Sequence, residues 1–536
     1  MGVPTKVQLI KRKQSEQWYI NFPSSIAQAM EFERGETVEW FIEDKGTLAL
    51  KRLKVPPSVL KKKTDGIVDS FEALFAQARP AFRQERLFVQ AHSLAVASLL
   101  ALGKRTITGM LSAGGRQFED WSAAYRLFEF GRFDRQALFN PIRRAVLDCI
   151  PREEPLVVMM DDTLLRKRGG KVHGTGWRRD PLGPHFCSNF VWAQRFLQLS
   201  AALPDSEVYG RARGIPLDFI HAPSAVKPKR NVSDELLKEY RREQEEKKIS
   251  NVAAKRLRLL REEVRERRIV CSVDGGFTNS TLFHDLPDDT VLIGRVRKDA
   301  RLFKVPSEDG CLRRRGRKRF YGEPLPTPEN IRKDSSYPWI EVEAYAAGKR
   351  QLFEIKTLPA VRWRGSGERT VRLIVVRPLA YRPRKGAKLL YRSPAYLLCT
   401  DPSMSLEDVL QAYLWRWEIE VNFRDEKTVL GVGDAQVRKA SSVEGVPSLI
   451  VAAYAYLLLA GSMTEGWRKD GLNPKWRNAE PSQRCSTQQM VALFRTQTWR
   501  IAIQKNLRHF DAGRATTQSH FYYYNSLASA IFYARK

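Results

Sequence analysis

The chain has 536 residues and 43% hydrophobic content, too long for one ordinary core and apolar enough to build several packed units. Ninety-one lysines and arginines against 60 acids leave a formal charge of +31, which sets aside an enzyme of small metabolites and points to a polyanion partner, nucleic acid ahead of an acidic membrane surface. The six cysteines (Cys149, Cys187, Cys271, Cys311, Cys399, Cys485) are scattered without a C-x-x-C pair, which argues against a zinc ribbon or a disulfide framework and fits a reducing cytoplasm.

In chain order, the first stretch MGVPTKVQLIKRK lacks the apolar run of a secretory signal. Residues 1–54 read as two strands, a short helix and two more strands, with ERGE and EDKG as turns. So small a β-unit has little core of its own and needs a partner chain or neighbour. A proline before the short helix, followed by Gly-Glu-x-Val, resembles the AbrB-like swapped-hairpin domains. The resemblance implies dimerisation and DNA binding, with Lys11, Arg12 and Lys13 as contacts. The alternative is a small β accessory domain without DNA contacts.

Residues 54–66 form a Pro- and Lys-rich linker, and 67–150 are helical by period, near 69–78, 85–102, 118–129 and 134–149. This region reads as a helical DNA-binding domain in which Lys104, Arg105, Arg143 and Arg144 are either phosphate contacts or plain surface. From 155 the pattern becomes α/β. LVVMM (156–160) is a short apolar strand ending at Asp161-Asp162-Thr163, and 189–203 and 215–222 are the next strands. A charged helical stretch covers 232–268, IVCSV (269–273) is a buried strand ending at Asp274, a short helix lies near 277–285, and 290–297 is a fifth strand. A basic β-rich insertion follows over roughly 300–400. It contains RRRGRKR, in which Arg313, Arg314, Arg315, Arg317, Lys318 and Arg319 bind phosphates or form a solvated loop. One helix is expected from Ser405 to Thr428, and the rest of the chain is mainly helical. The apolar run Leu449–Ala460 is too short to span a bilayer and reads as a buried helix, so no membrane association is expected.

Three carboxylates stand out. At 100° per residue, Tyr413, Arg416, Glu420 and Lys427 share one stripe of the 405–428 helix, while Glu418, Asp425 and Glu426 point elsewhere. An intrahelical salt-bridge ladder would give the same pattern. Asp161 and Asp274 each close an apolar strand, where open α/β sheets place ligands, or where an Asp begins a turn. Taken together, three acids on two strand ends and a helix form a donor set for two Mg²⁺ or Mn²⁺ ions.

This order of strands and acids resembles the RNase H-like core of DDE transposases. YLWRWEIEVNFRDEK carries the Tyr-x2-Arg-x3-Glu-x6-Lys signature of a bacterial insertion-sequence group, and VDGGFTN and LIGRVRKDA are similar to that group's second-aspartate region. The resemblance covers about 155–430. It implies an α/β multidomain protein with an RNase H-like mixed sheet, completed over 401–465 after the β-rich insertion. It also implies double-stranded DNA as partner, a homodimer that pairs two element ends, and cleavage followed by strand transfer. Asp161, Asp274 and Glu420 would hold the metals, and Tyr413, Arg416 and Lys427 would grip phosphates. The family's Asp-x-Thr pattern favours Asp161 over its neighbour Asp162. Some relatives stack a flipped base on an aromatic; Trp192, Trp339, Trp363, Trp415 and Trp417 are candidates without an assignment. His173 and His185, in the loop after Asp161, lack zinc spacing. Two competing readings are a DNA-binding repressor without catalysis and an RNase H-like nuclease that cuts without joining.

Overall fold

The structure is a computed structural model. It describes residues 7–12, 15–20, 38–42, 48–52, 66–180, 183, 189–205, 208–228, 232–306, 320–382, 384, 386–464, 484–511 and 530–531. The chain divides into two compact units, Met1–Thr64 and Asp65–Lys536.

The first unit holds two antiparallel ladders, β1 (Val7–Arg12) with β2 (Ser15–Ile20) and β3 (Val38–Ile42) with β4 (Leu48–Arg52). These are the four strands expected from the turn signals. Lys11 and Arg12 lie at the end of β1, and both Lys13 and the expected short helix fall outside the described residues.

The second unit begins with five helices: α1 (Ile67–Ala76), α2 (Glu85–Leu100), α3 (Ile107–Ala113), α4 (Ser122–Glu129) and α5 (Asn140–Cys149). Helix α3 is additional to the expected set. Gly109 inside it and the Gly114-Gly115 break blur its periodicity, but Thr106 Oγ1 caps it by accepting from Gly109 N at 3.0 Å.

The sheet is built from β5 (Leu156–Arg166), β6 (Gly176–Arg179), β7 (Phe190–Pro204), β8 (Ala212–His221), β9 (Ile269–Val273), β10 (Thr290–Arg295), β11 (Leu302–Phe303), β12 (Ile340–Ala346), β13 (Lys349–Trp363), β14 (Thr370–Val376) and β17 (Ala395–Cys399). A separate two-residue ladder joins β15 (Ala380–Tyr381) to β16 (Leu390–Tyr391). Strand β9 lies parallel between β5 and β10, and the other ladders are antiparallel. Helices α6 (Asp234–Glu246), α7 (Ile249–Glu263) and α8 (Ser280–His284) provide the crossovers, and the short α9 (Pro328–Lys333) precedes β12. This is the mixed RNase H-like sheet flanked by helices that the strand order predicts. The β-rich region continues it: β17 pairs with the free edge of β10, and β14, β13 and β12 follow outward. An unpaired edge on β10 is thereby closed. Arg313 to Arg319 lie outside the described residues.

Strand alternation divides the sheet's side chains between two cores. Val157, Met159, Val270, Ile293 and Leu397 pack against Val409, Leu410, Ile419 and Phe423 of α10 (Leu406–Trp415) and α11 (Trp417–Thr428). Leu156, Val158, Met160, Cys271, Val273 and Leu292 belong to the larger core, which includes α7, α8, the first five helices and α12 (Ala440–Thr464). Helix α12 is long and apolar enough to cross a membrane, but 89% of its most apolar window is buried inside the protein. A helix apolar on all sides is a core post here. The last helix, α13 (Thr487–Asp511), packs on α1, α2 and α12.

Candidate active site

Two local departures from the sequence expectations shape the site. Strand β5 does not stop at Asp161 but runs on to Arg166, because β7 continues to pair with it as far as Arg166↔Ala193. Only the parallel ladder to β9 ends at Met160↔Val273. The expected single helix over 405–428 is two helices joined at Arg416. There, Arg416 N donates to Tyr413 O (3.1 Å) and Ile419 N donates to Arg416 O (3.2 Å), tightened i to i+3 bonds in place of the α-helical ones.

The register of the three parallel strands builds the floor. Met160 pairs with Val273, and Val273 with Gly294. The next residues along each strand direction, Asp161, Asp274 and Arg295, therefore form a row of two acids and one cation. Alternation puts Asp161 in the series of Val157 and Met159, on the α10–α11 side. Asp274 continues the series of Val270 and Ser272, whose Oγ donates to Ala412 O of α10 at 2.9 Å. Asp162 belongs with Met160 on the opposite side, where Arg195 and Arg178 offset its charge.

Asp274 serves two ends of one carboxylate. Its Oδ1 accepts from Gly276 N (2.9 Å) and Phe277 N (3.2 Å), forming the turn into α8. Its Oδ2 has no protein hydrogen bond among the described residues. Asp161 is held by the amide of Asp162, which donates to its Oδ1 at 2.8 Å. Burial, and then the like charge of Asp274, push its carboxyl up to about 7, against the pull of that amide and of Arg416.

The helical residues close over this row. Arg416 Nη2 donates to Glu420 Oε1 at 2.7 Å, and its Nη1 lies 3.6 Å from Asp161 Oδ2. Its guanidinium carbon is 5.9 Å from the centre of the Tyr413 ring, and burial pushes that phenol's pKa up. Lys427 is exposed, with Nζ 5.9 Å from the Phe423 ring centre. Partial desolvation lowers its pKa, and Glu426, Asp180 and Asp161 act against that. Arg416 thus links Tyr413 to Glu420 across the tightened joint, and Lys427 interacts electrostatically with Asp161.

Among the described residues no three His, Cys, Asp or Glu side chains form a ready metal cluster, and Arg416 contacts both Asp161 and Glu420. The donor chemistry nevertheless fits a hard divalent cation. The acids are all oxygen donors, and the like charge of Asp274 beside Asp161 is negative charge that a cation would relieve.

A family model described as DDE superfamily endonuclease matches residues 79–369, more than half of the chain. The chain belongs to this family. No curated protein matches it. The matched span of this DDE endonuclease includes Asp161 and Asp274 and stops before the helix that carries Glu420.

Other sequence candidates separate clearly. Arg143 is buried, with Nη1 donating to Leu217 O at 2.9 Å and Nε to Glu263 at 2.8 Å, and Arg105 donates to Gly103 O at 2.7 Å. Both support the fold, while Lys104 and Arg144 are exposed. Trp415 donates to Gly210 O at 2.7 Å and Trp192 to Gly169 O at 3.2 Å. The ammonium of Lys356 and the guanidinium of Arg377 both lie against Trp339. Trp363 packs edge-on against Phe283 and lines a cavity of about 920 Å³ beside the site, together with Gly275, Arg295, Lys298 and Arg332. Trp417 is exposed. His173 faces His221 at 6.1 Å, and His185 lies outside the described residues. Arg295 was missed from sequence. Its signal is its place in LIGR, the fifth strand, one step past the residue that pairs with Val273.

Proposed function

We propose that this DDE endonuclease is a DNA transposase that cleaves insertion-sequence ends and joins them to target DNA. The observation that carries the reading is the side-by-side placement of Asp161 and Asp274 on the sheet face covered by α11, which bears Glu420, and by Arg416 at its joint with α10. In this reading Asp161, Asp274 and Glu420 hold two Mg²⁺ or Mn²⁺ ions. Such ions stabilise the attacking and leaving oxygens of an in-line phosphoryl transfer.

The protein's own side chains bind and orient the DNA. Arg416 exchanges its carboxylate partners for a phosphate, which a guanidinium grips through two parallel bonds. Lys427 and Arg295 flank the acids as further cations, and Tyr413 fixes the Arg416 side chain by packing under it. The exchange couples DNA arrival to the release of Glu420. Arg313, Arg314, Arg315, Arg317, Lys318 and Arg319, with Lys11, Arg12 and Lys13 of the AbrB-like unit, add salt-dependent affinity for double-stranded DNA. A homodimer pairs the two ends.

The test incubates purified protein with labelled element ends and a target duplex in Mg²⁺. Strand-transfer products that vanish in Asp161→Asn, Asp274→Asn and Glu420→Gln support the reading. Nicking without joining assigns a nuclease instead, and DNA retention without cutting assigns a binding protein.

A further inference from the structure

Three polar residues on α11 lie at i, i+4 and i+7: Glu418, Asn422 and Asp425. They form a stripe on the side of the helix away from Glu420. Each is fastened. Glu418 accepts from Arg484 through both oxygens (2.9 and 2.6 Å) and from Gly214 N at 3.3 Å. Arg484 also donates to Ala212 O at 2.9 Å. Asn422 accepts from Ser200 Oγ and donates to Gly214 O, each at 3.0 Å. Asp425 accepts from Thr487 Oγ1 at 2.7 Å. The helix lies so close to β8 that a Cβ on Gly214 would meet Asn422 Oδ1 at 2.8 Å and Glu418 Cβ at 3.0 Å. A glycine at this position is what allows that approach.

We infer that Glu418 and Arg484 are positioning residues for Glu420, with Asn422 and the Asp425–Thr487 bond as the remaining fasteners. The bidentate Glu418–Arg484 pair sits two residues from Glu420 and ties the start of α11 both to the backbone of β8 and to the segment that leads into α13. This fixes the height and rotation of the helix over the Asp161–Asp274 row. The inference rests on the reading of Glu420 as a metal-holding carboxylate. Side chains that orient metal ligands typically change metal affinity by about 10–100-fold when altered.

The test measures Mn²⁺ affinity of the full chain by electron paramagnetic resonance, alongside thermal unfolding and DNA affinity. Glu418→Gln and Arg484→Lys are expected to weaken Mn²⁺ binding by about tenfold while DNA affinity measured without metal stays at the wild-type level. The exchanged pair Glu418→Arg with Arg484→Glu is expected to recover part of the loss. Lys356→Met, remote from α11, serves as a variant that loses stability without moving Glu420, and its Mn²⁺ affinity should match wild type. If Glu420→Gln weakens Mn²⁺ binding but Glu418→Gln and Arg484→Lys do not, the positioning role is overturned and the metal reading stands. If Glu420→Gln itself has no effect, the metal reading fails.

Discussion

Arg416 and Glu420 form an ion pair one helical turn apart, with Nη2 2.7 Å from Oε1, and the same guanidinium reaches toward Asp161 at 3.6 Å. One internal cation therefore faces two of the three acids, hydrogen-bonded to Glu420 and within ion-pair distance of Asp161. A charge-assisted bond of this kind contributes about 1.5–3 kcal/mol, so displacing it opposes metal entry by roughly tenfold or more. Arg416→Gln should bind Mn²⁺ more tightly than wild type in the absence of DNA, and DNA less tightly. In the wild type, DNA and Mn²⁺ should strengthen each other's binding by the same factor, as linkage requires. Mn²⁺ titrations with and without duplex check both; independent binding in the wild type would remove Arg416 from this role.

Asp161 gives a pH dependence with a definite sign. Its folded pKa is raised from 3.8 to about 7, by burial first and Asp274 second. The folded state therefore keeps a proton that the unfolded state has lost. Stability present at low pH is lost as pH rises from about 4 through about 7, at up to about 1.4 kcal/mol per pH unit for one group. Metal-free Asp161→Asn should be more stable than wild type at pH 8, by about 1–3 kcal/mol, with the gain shrinking toward pH 4. Added Mn²⁺ should stabilise the wild type and not the variant. Thermal unfolding across pH 4–8 reads this directly.

The parts of this site visible in sequence were those carried by short periods. Alternation in LVVMMDD and the 100° step from Tyr413 to Lys427 concern neighbours along the chain. Whatever depends on register or on a distant partner was not visible. The Asp-x-Thr pattern favours Asp161 over Asp162 only through the family resemblance; the physical reason, which β5 residues continue the buried series facing α10 and α11, needs the packing of those helices. Arg295 joins the row only because Gly294 pairs with Val273. Glu418 reads as a misdirected acid until Arg484, 66 residues further on, is seen to grip it. The β-rich region reads as an insertion because its strands look self-contained, yet edge pairing of β17 with β10 makes it an extension of the core sheet.

Lys427 is an exposed cation on the same stripe, near enough to Asp161 for their charges to interact. A phosphate contact by one lysine should appear in the salt dependence of binding rather than in sequence preference. Lys427→Ala should reduce the slope of log affinity against log salt by about 0.9, uniformly over different duplexes, and Lys427→Arg should preserve it. Equal slopes for the alanine variant and wild type would show that this side chain does not reach the backbone.

Glu426 is 1% exposed, and burial pushes its carboxyl up to about 8 beside Gln198. Among the described residues its Oε1 has no hydrogen-bond partner, and neither has Gln198 Oε1. Burial favours the protonated acid, whose hydroxyl can donate where the carboxylate cannot. Glutamine has the shape of that protonated acid. Glu426→Gln should thus change stability by less than about 0.5 kcal/mol near pH 6.5, in the range of a neutral exchange. Because the folded pKa is raised, the wild type alone loses stability as pH rises through about 8. The variant should be the more stable of the two at pH 9, and a crossing of their unfolding midpoints between these pH values is the observable.

Lys356 is 2% exposed, and its ammonium donates to three backbone carbonyls: Ile331 O (3.2 Å), Arg332 O (3.0 Å) and Asp334 O (2.7 Å). These lie in the last turn of α9 and just beyond it, where carbonyls lack partners within the helix and the dipole favours a cation. The ammonium also stands 4.5 Å from the centre of the Trp339 ring. Methionine keeps the length and the apolar stem but has no donor, so Lys356→Met leaves these acceptors short of partners in a buried place. The expected cost is about 2–4 kcal/mol, from the desolvation of unsatisfied acceptors. It should appear as a lower denaturant midpoint with an unchanged slope. A loss below about 1 kcal/mol would mean that water reaches the carbonyls and replaces the ammonium.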